Sequence, residues 1–282
     1  FPEDAFAKMT LWRRFMWWFQ NHIWVALPLL TFFWMSIVWY RYGKDPLGNG
    51  RIELHSQEPR ALPPGLQITL VKQVFTEQAF LATIFDLIRR GYIALESRDK
   101  DNVIFIRKRF EDAAMHTFER TIYKELFPHN RDSILVYHKL LTPAKTKAGK
   151  EALEELTKYG WFIERPMLIR GLWFIAAITF FLFTVLISDQ QSIQIVSSFM
   201  SAFIIAVFAW HMPRMTKTGA LVAEEIEGFR RYLLTSTPEN PKCFERFLPA
   251  AIAFGIEKEW GQKYNIKTLA VDRLHKMLIQ HQ

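Results

Sequence analysis

Apolar residues crowd into windows near 21–40, 171–187 and 193–212, while charges crowd into 41–170 and 213–282. A hydrocarbon core about 30 Å thick needs roughly 17–25 apolar residues as a helix. Each window is that long, so the pattern predicts transmembrane helices over 21–42, 170–188 and 193–212, with an outer turn at 189–192. Pro28 can kink the first without forbidding it, because neighbouring groups resatisfy the freed carbonyl. The chain then divides into a juxtamembrane segment 1–20, the first span, a polar domain 43–169, a helical hairpin, and a polar tail 213–282.

Upstream, TLWRRFMWWFQ mixes Trp12, Phe15, Trp17, Trp18 and Phe19 with Arg13 and Arg14. Amphipathic rings sit well at headgroup level, which predicts an interfacial helix; a plain extension of the first span is the simpler alternative. Residues 43–67 hold GKDPLGNG and EPRALPPG, which are turn and linker signals. Helical periodicity follows over 67–75 and 76–90, with Gly91 as C-cap. IALES and VIFIR then read as a β-hairpin, and helices return at 111–127 and 147–159. Helix, helix, hairpin is the order of a winged-helix domain. The fold class predicted is a mainly α membrane protein with a cytoplasmic α+β, winged-helix-like domain. Pro213 ends the third span. A helix at 218–234, a polar break, a helical run over 243–264 and an amphipathic piece at 268–280 form the tail. Ser197, Ser201, Ala202 and Ala206 repeat small residues at spacing four, which lets membrane helices approach closely; a span that simply contains some small residues is an equally good reading. So short a tail struggles to bury enough surface alone, which predicts docking onto the 60–165 domain rather than lying flat on lipid.

Half of the 282 residues are hydrophobic and 15% are aromatic, which excludes a disulfide scaffold, a disordered chain and an ordinary soluble enzyme. The lone Cys243 has no internal partner and suits a reducing compartment. Net charge is +8. The turn at 188–192 lacks Lys and Arg, whereas Arg165, Arg170, Arg214 and Lys217 flank the opposite ends of the hairpin. The positive-inside rule then puts both polar segments in the cytoplasm and the N-terminus outside. The start at Phe1, with no initiator Met and no signal peptide, suggests a piece of a longer protein.

The search for chemistry is unproductive. His116, His129 and His138 would need three-dimensional assembly to hold a metal, and solvated or capping roles are simpler. No HExxH, phosphate loop or GxGxxG motif occurs. Glu224, Glu225 and Glu227 read as a solvated helix face. The apolar windows 21–40, 171–187 and 193–212 hold no Asp, Glu, Lys or Arg, which argues against a proton- or ion-coupled transporter. Neither a cofactor nor a metal is expected.

Five strings occur in order: Trp39-Tyr40-Arg41-Tyr42-Gly43-Lys44-Asp45-Pro46; Asp86-Leu-Ile-Arg-Arg-Gly91-Tyr92-Ile93; Met212-Pro213-Arg-Met-Thr-Lys-Thr-Gly219; Glu227-Gly228-Phe229-Arg-Arg-Tyr232-Leu233; and Phe247-Leu248-Pro249-Ala-Ala-Ile-Ala-Phe254-Gly255-Ile-Glu-Lys258. Together they resemble the YciQ-like family of predicted bacterial membrane proteins (DUF2207), from about residue 15 to 264. The resemblance implies a signal peptide and an extracytoplasmic β-rich domain before Phe1, the bacterial inner membrane, and LemA-type helical membrane proteins as partners. It supplies no catalytic residues. Physically, the glycines suit caps or close approach, Asp45-Pro46 a turn, and the aromatics tail packing.

The expected function is a non-enzymatic membrane scaffold acting through protein–protein interactions, as an oligomer or hetero-complex. The alternative is a membrane-anchored winged-helix DNA-binding regulator. Against it, a recognition helix at 77–90 would balance Glu77 and Asp86 with Arg89 and Arg90, whereas DNA readers bring cationic surplus to phosphates.

Overall fold

The computed structural model describes residues 11–46, 48–97, 103–128, 131–135, 138–163, 165–187, 192–236, 240 and 242–265. The hairpin tip, the outer turn and the 268–280 piece lie outside them. The described chain is mostly helical with one small sheet, and it divides into two compact units: Phe1–Lys44 with Pro166–Arg214, and Asp45–Arg165 with Met215–Gln282.

The first unit holds α1 (Leu11–Val38), α6 (Pro166–Ile187) and α7 (Ser192–Trp210). Three stretches are long and apolar enough to cross a membrane: Trp24–Gly43, Pro166–Ile187 and Ile193–Trp210. Residues 11–20 do not form a helix of their own. They run into the first span as one 28-residue helix, about 42 Å long at ~1.5 Å per residue, so its ends outreach the hydrocarbon. A π-helical turn, Trp39–Gly43, closes it. Helix α7 packs against both α1 and α6. Its small residues are the contact surface, with Ser197, Ser198, Ser201 and Ala209 buried. Ser201 Oγ donates to the Ser197 carbonyl at 2.9 Å, and Thr31, Ser36 and Thr184 bond back to their own helices in the same way. These four hydroxyls satisfy themselves on their own helices, as an apolar setting favours.

The second unit is assembled from both polar segments. It contains α2 (Pro64–Lys72), α3 (Glu77–Arg89), β1 (Ile93–Ser97), β2 (Val103–Arg107), α4 (Thr117–Leu126), β3 (Ser133–Leu135), α5 (His138–Lys158), α8 (Lys217–Thr235), α9 (Lys242–Phe254) and α10 (Glu257–Lys263). The sheet is antiparallel, in the order β1-β2-β3. Helices α2 and α5 start well before the positions periodicity predicts. Pro64 at a first turn is compatible with helix, so α2 begins inside the expected linker. Helix α5 reaches back past Pro143 to His138.

One core crosses both segments. Phe80, Leu81, Ile84 and Leu87 of α3, Phe105 of β2 and Phe118 of α4 share it with Met215, Val222, Ile226, Ile252 and Ala253. The tail therefore packs on α2 and α3. A second cluster joins α8, α9 and α10 through Phe229, Phe247, Ala250, Ala251 and Trp260, with Phe229 edge-on to Phe247 at 5.5 Å and to Phe254 at 6.2 Å. The expected single run over 243–264 breaks at Gly255. Its φ of +69° and the bonds Gly255 N→Ile252 O and Ile256 N→Ala251 O make a Schellman stop. Gly91 ends α3 in the same way, with φ +78°.

Gly228 has a different task. A Cβ there would overlap the Glu53 carbonyl oxygen, because residues 51–55 cross α8 at that point. Gly228→Ala is therefore expected to lower stability by about 1–3 kcal/mol and to raise amide exchange in residues 49–57. Denaturant melts and hydrogen exchange on the purified chain check it; unchanged exchange there would sink the close-approach account.

Candidate functional site

The Asp86–Tyr92 string builds the centre of the polar unit. Asp86 is 3% exposed and serves two guanidinium groups. Arg89 Nη2 lies 2.6 Å from Oδ1, and Arg90 Nε lies 2.9 Å from Oδ2. Arg90 also reaches Glu119 on α4, Nη2 to Oε1 at 2.6 Å. Glu119 is fully buried and its other oxygen accepts the His116 backbone N–H at 3.0 Å. The His116 ring in turn pairs with Glu155 on α5, which takes the Tyr159 hydroxyl at 3.0 Å. Tyr92 is stacked by Arg90 and Arg109, 5.6 and 5.1 Å from its ring, and donates to Asp112 at 2.7 Å.

A continuous line of paired charges thus ties α3, α4 and α5 together. Burial pushes the Glu119 carboxyl above its ordinary value against the pull of Arg90. It works against the Arg90 guanidinium too, but the Glu119 hydrogen bond and the Asp86 charge outweigh it and hold Arg90 more firmly protonated. Burial raises Glu58 near Arg89 and Asp86, so the 45–62 strap feels the same network. Breaking one partner of a buried pair costs about 3–5 kcal/mol, far more than an exposed pair contributes.

A second junction gathers the polar unit's chain ends. Asp45 accepts the Met215 N–H at 2.7 Å and the Gln73 amide at 2.8 Å. Met215 bridges to Phe162, and Thr216 N donates to Trp161 O at 2.9 Å. Gly219 sits so close to the Trp161 carbonyl that a side chain has no room. Asp45 is thus a tertiary acceptor, beyond the local turn expected of Asp45-Pro46.

The glutamates of α8 stay partly exposed and each also takes partners. Glu224 accepts Asn49 N at 2.7 Å and Gly50 N at 3.0 Å. Glu225 takes Arg60 in two bonds of 3.2 Å, and Glu227 pairs Arg230 and Arg231. Between the strap and α8 lies a polar cleft of ≈ 670 Å³, where Arg51 and His55 stand opposite these engaged acids.

The sheet has an outward face. Phe105, Leu95 and Ile134 align inward, while the next rows are Ala94–Ile106–Ser133 and Glu96–Ile104–Leu135. Ile104 and Ile106 are half-buried and Leu135 is 47% exposed. A solvated antiparallel face alternates to polar; this one keeps Ile104, Ile106 and Leu135 beside Glu96 and Ser133.

Of the remaining motif residues, Trp39 Nε1 donates to His211 O at 3.1 Å and Gly43 packs on Trp39 and Met212. Tyr40 and Tyr42 are each 67% exposed. Pro213 is buried just beyond α7. Tyr232, Leu248 and Phe254 flank the tail cluster and Pro249 lies inside α9. Pro46 is half-buried. Glu119, His116, Glu155 and Asp112 lie outside the five strings. A usable signal existed: His116-Thr-Phe-Glu119 places Glu at the third helical position, where it reaches back to the cap N–H. His129 and the His138 side chain lie outside the described set, and among described residues no group of three or more His, Cys, Asp or Glu could hold a metal.

Apolar spans joined to a helix-rich polar unit define an integral membrane protein. The chain belongs to the DUF2207 family: the C-terminal domain of that predicted membrane protein matches residues 52–264. No curated protein and no solved structure matches it.

The His116–Glu155 pair sets a pH window. Hydrogen bonding to Glu155 raises His116 above 6.5, so its stabilisation is whole below 6.5 and lost as pH rises through the raised value. Burial raises the Glu155 carboxyl, but His116 more than offsets this, and it ends below 4.5. Its share is whole above 4.5 and lost as pH falls through the lowered value. Glu155→Gln should bring the His116 titration, followed by NMR, back down towards the ordinary histidine value. An unchanged midpoint would contradict the pairing.

Proposed function

We propose that this protein is a non-enzymatic membrane scaffold of the bacterial cytoplasmic membrane, whose polar unit docks other proteins. The observation that carries the reading is the outward face of the sheet, where Ile104, Ile106 and Leu135 keep an aliphatic surface off the core. Contiguous exposed apolar surface marks interaction sites. LemA-type helical membrane proteins, which the family resemblance implies, are the first partners to test. A photo-crosslinking residue at Ile104 or Ile106 in native membranes should give adducts to another chain. Adducts confined within the chain, or none at either position, would overturn the docking reading.

The order α2, α3, β1, β2 supports a winged-helix-like grouping. It does not favour DNA binding: Ala79–Leu87 of α3, the helix that would read bases, is buried throughout, and Arg89 and Arg90 are committed to Asp86 and Glu119.

The polar unit is assigned to the cytoplasm and the N-terminus to the outside. The support is the distribution of Lys and Arg: Arg41, Lys44, Arg170 and Arg214 gather at one end of the spans, and Ser188–Ser192 has none. An impermeant thiol reagent on intact cells should label Gln190→Cys and spare Lys100→Cys in a Cys243→Ser background. Labelling of Lys100→Cys reverses the assignment.

A further inference from the structure

The strap that crosses α8 is fastened to that helix at both ends and in the middle. The Asn49 and Gly50 amides donate to Glu224 at 2.7 and 3.0 Å. The Glu53 carbonyl passes over Gly228, where a Cβ would overlap it. Arg60 returns to Glu225 in two bonds of 3.2 Å. Glu224 and Glu225 are neighbours, so a single turn of α8 anchors both legs of the strap. The ≈ 670 Å³ cleft lies inside this frame, within the size range of small-molecule sites, about 300–1,000 Å³. Strap and helix belong to the same compact unit.

The alternation of the strap is inverted. Every second residue, Asn49, Arg51, Glu53 and His55, lines the cleft, whereas Leu54 is 61% exposed. Alternate side chains of an extended segment take opposite sides. A segment that only covers a helix turns its apolar side inward and leaves its polar side in water. Here the polar side faces the cavity. Packing onto α8 does not account for that, but a polar occupant of the cleft does.

Charge and spacing narrow the occupant. Arg51 and Glu53 stand two positions apart, about 7 Å along an extended chain. An ion of one sign would be drawn to one of them and repelled by the other, whereas a ligand carrying both signs satisfies both. A guanidinium takes a carboxylate in two parallel bonds, and a carboxylate takes an ammonium. A dipeptide separates its two charged ends by a similar span, because each of its residues also rises about 3.3 Å. Leu221 adds apolar surface for a small side chain. We propose that the cleft binds a dipeptide by its free ends, the carboxylate on Arg51 and the ammonium on Glu53. This site shares no residue with the outward face of the sheet, so it stands or falls separately from the docking reading.

The test is isothermal titration of the full chain in nanodiscs with dialanine, N-acetyl-dialanine and dialanine amide. Dialanine should bind, and each capped form should bind about tenfold or more weakly, because each lacks one charge-assisted hydrogen bond. Arg51→Gln should erase the preference for dialanine over its amide and keep the preference over the N-acetyl form; Glu53→Gln should do the converse. Both side chains are exposed, so neither change should move the melting temperature of the ligand-free protein. Leu54→Ala, on the outward side of the strap, should bind dialanine as the parent does. No binding of millimolar dialanine, equal binding of all three compounds, or a preference that survives its matching substitution would overturn the site. Tighter binding of the N-acetyl form than of dialanine would make it an anion site and would overturn the dipeptide assignment.

Discussion

A chain that leaves a folded unit at Arg165 and re-enters it at Met215 must close its core across the excursion. The closing contact is the short pairing of Trp161 and Phe162 with Met215 and Thr216. Loop-closure entropy grows only slowly with length, so a few hydrogen bonds and the burial of Trp161, Phe162 and Met215 suffice once the helical hairpin has folded back. The rest of the polar unit depends on this step. Helix α8 begins at Lys217, directly after the pairing, and only then can Val222 and Ile226 reach the core that α2 and α3 share with α9. Asp45 adds the third chain end by capping the Met215 N–H.

The buried charges follow from the same assembly. Asp86 and Glu119 would be expensive inside a core if left alone. Each is tolerated because an arginine and a second donor saturate it, and the arginines snorkel to side-chain exposures of 35% and 23%. Such pairs contribute little net stability against apolar replacements. Their geometry instead fixes how α3 and α4 meet: one guanidinium, Arg90, spans Asp86 on the first helix and Glu119 on the second. Tyr92, clamped between Arg90 and Arg109, extends that register to the first residues of the sheet.

The features legible in the sequence were those set by local physics. Span positions follow from length and apolarity, the hairpin from β-branched runs, and the stop at Gly91 from the need for a left-handed residue. Ser133–Leu135 was not legible, because three residues give no period and the strand exists only by pairing with β2. The break at Gly255 was hidden in a helix-favouring run, although the glycine itself was singled out. The partners of Glu224, Glu225 and Arg90 lie far along the chain, at Asn49, Arg60 and Glu119. Spacing carries no information about such contacts. The outward rows of the sheet were half-visible: VIFIR is apolar at both parities, and only the observed register separates the core parity from the surface one.

The membrane unit shows why small residues sit where they do. Helix α7 is the shared wall, packing on α1 and α6, which make no comparable contact with each other. A helix flanked on two sides needs small residues on both, because dispersion in lipid rewards only close approach. Ser197, Ser198, Ser201 and Ala209 meet that need, while Met35 of α1 and Ala177 of α6 share a buried cluster with Ile205 of α7. The outer faces of α1 and α6 are then left to lipid, with Phe33 63% and Phe183 61% exposed. One row of helices, rather than a closed bundle, maximises that lipid contact and brings α1, α6 and α7 to a common end. There Trp39 Nε1 donates to the His211 carbonyl and Arg214 Nη1 to the Arg41 carbonyl, so hydrogen bonds between helix ends add to the register that the packing of α7 sets.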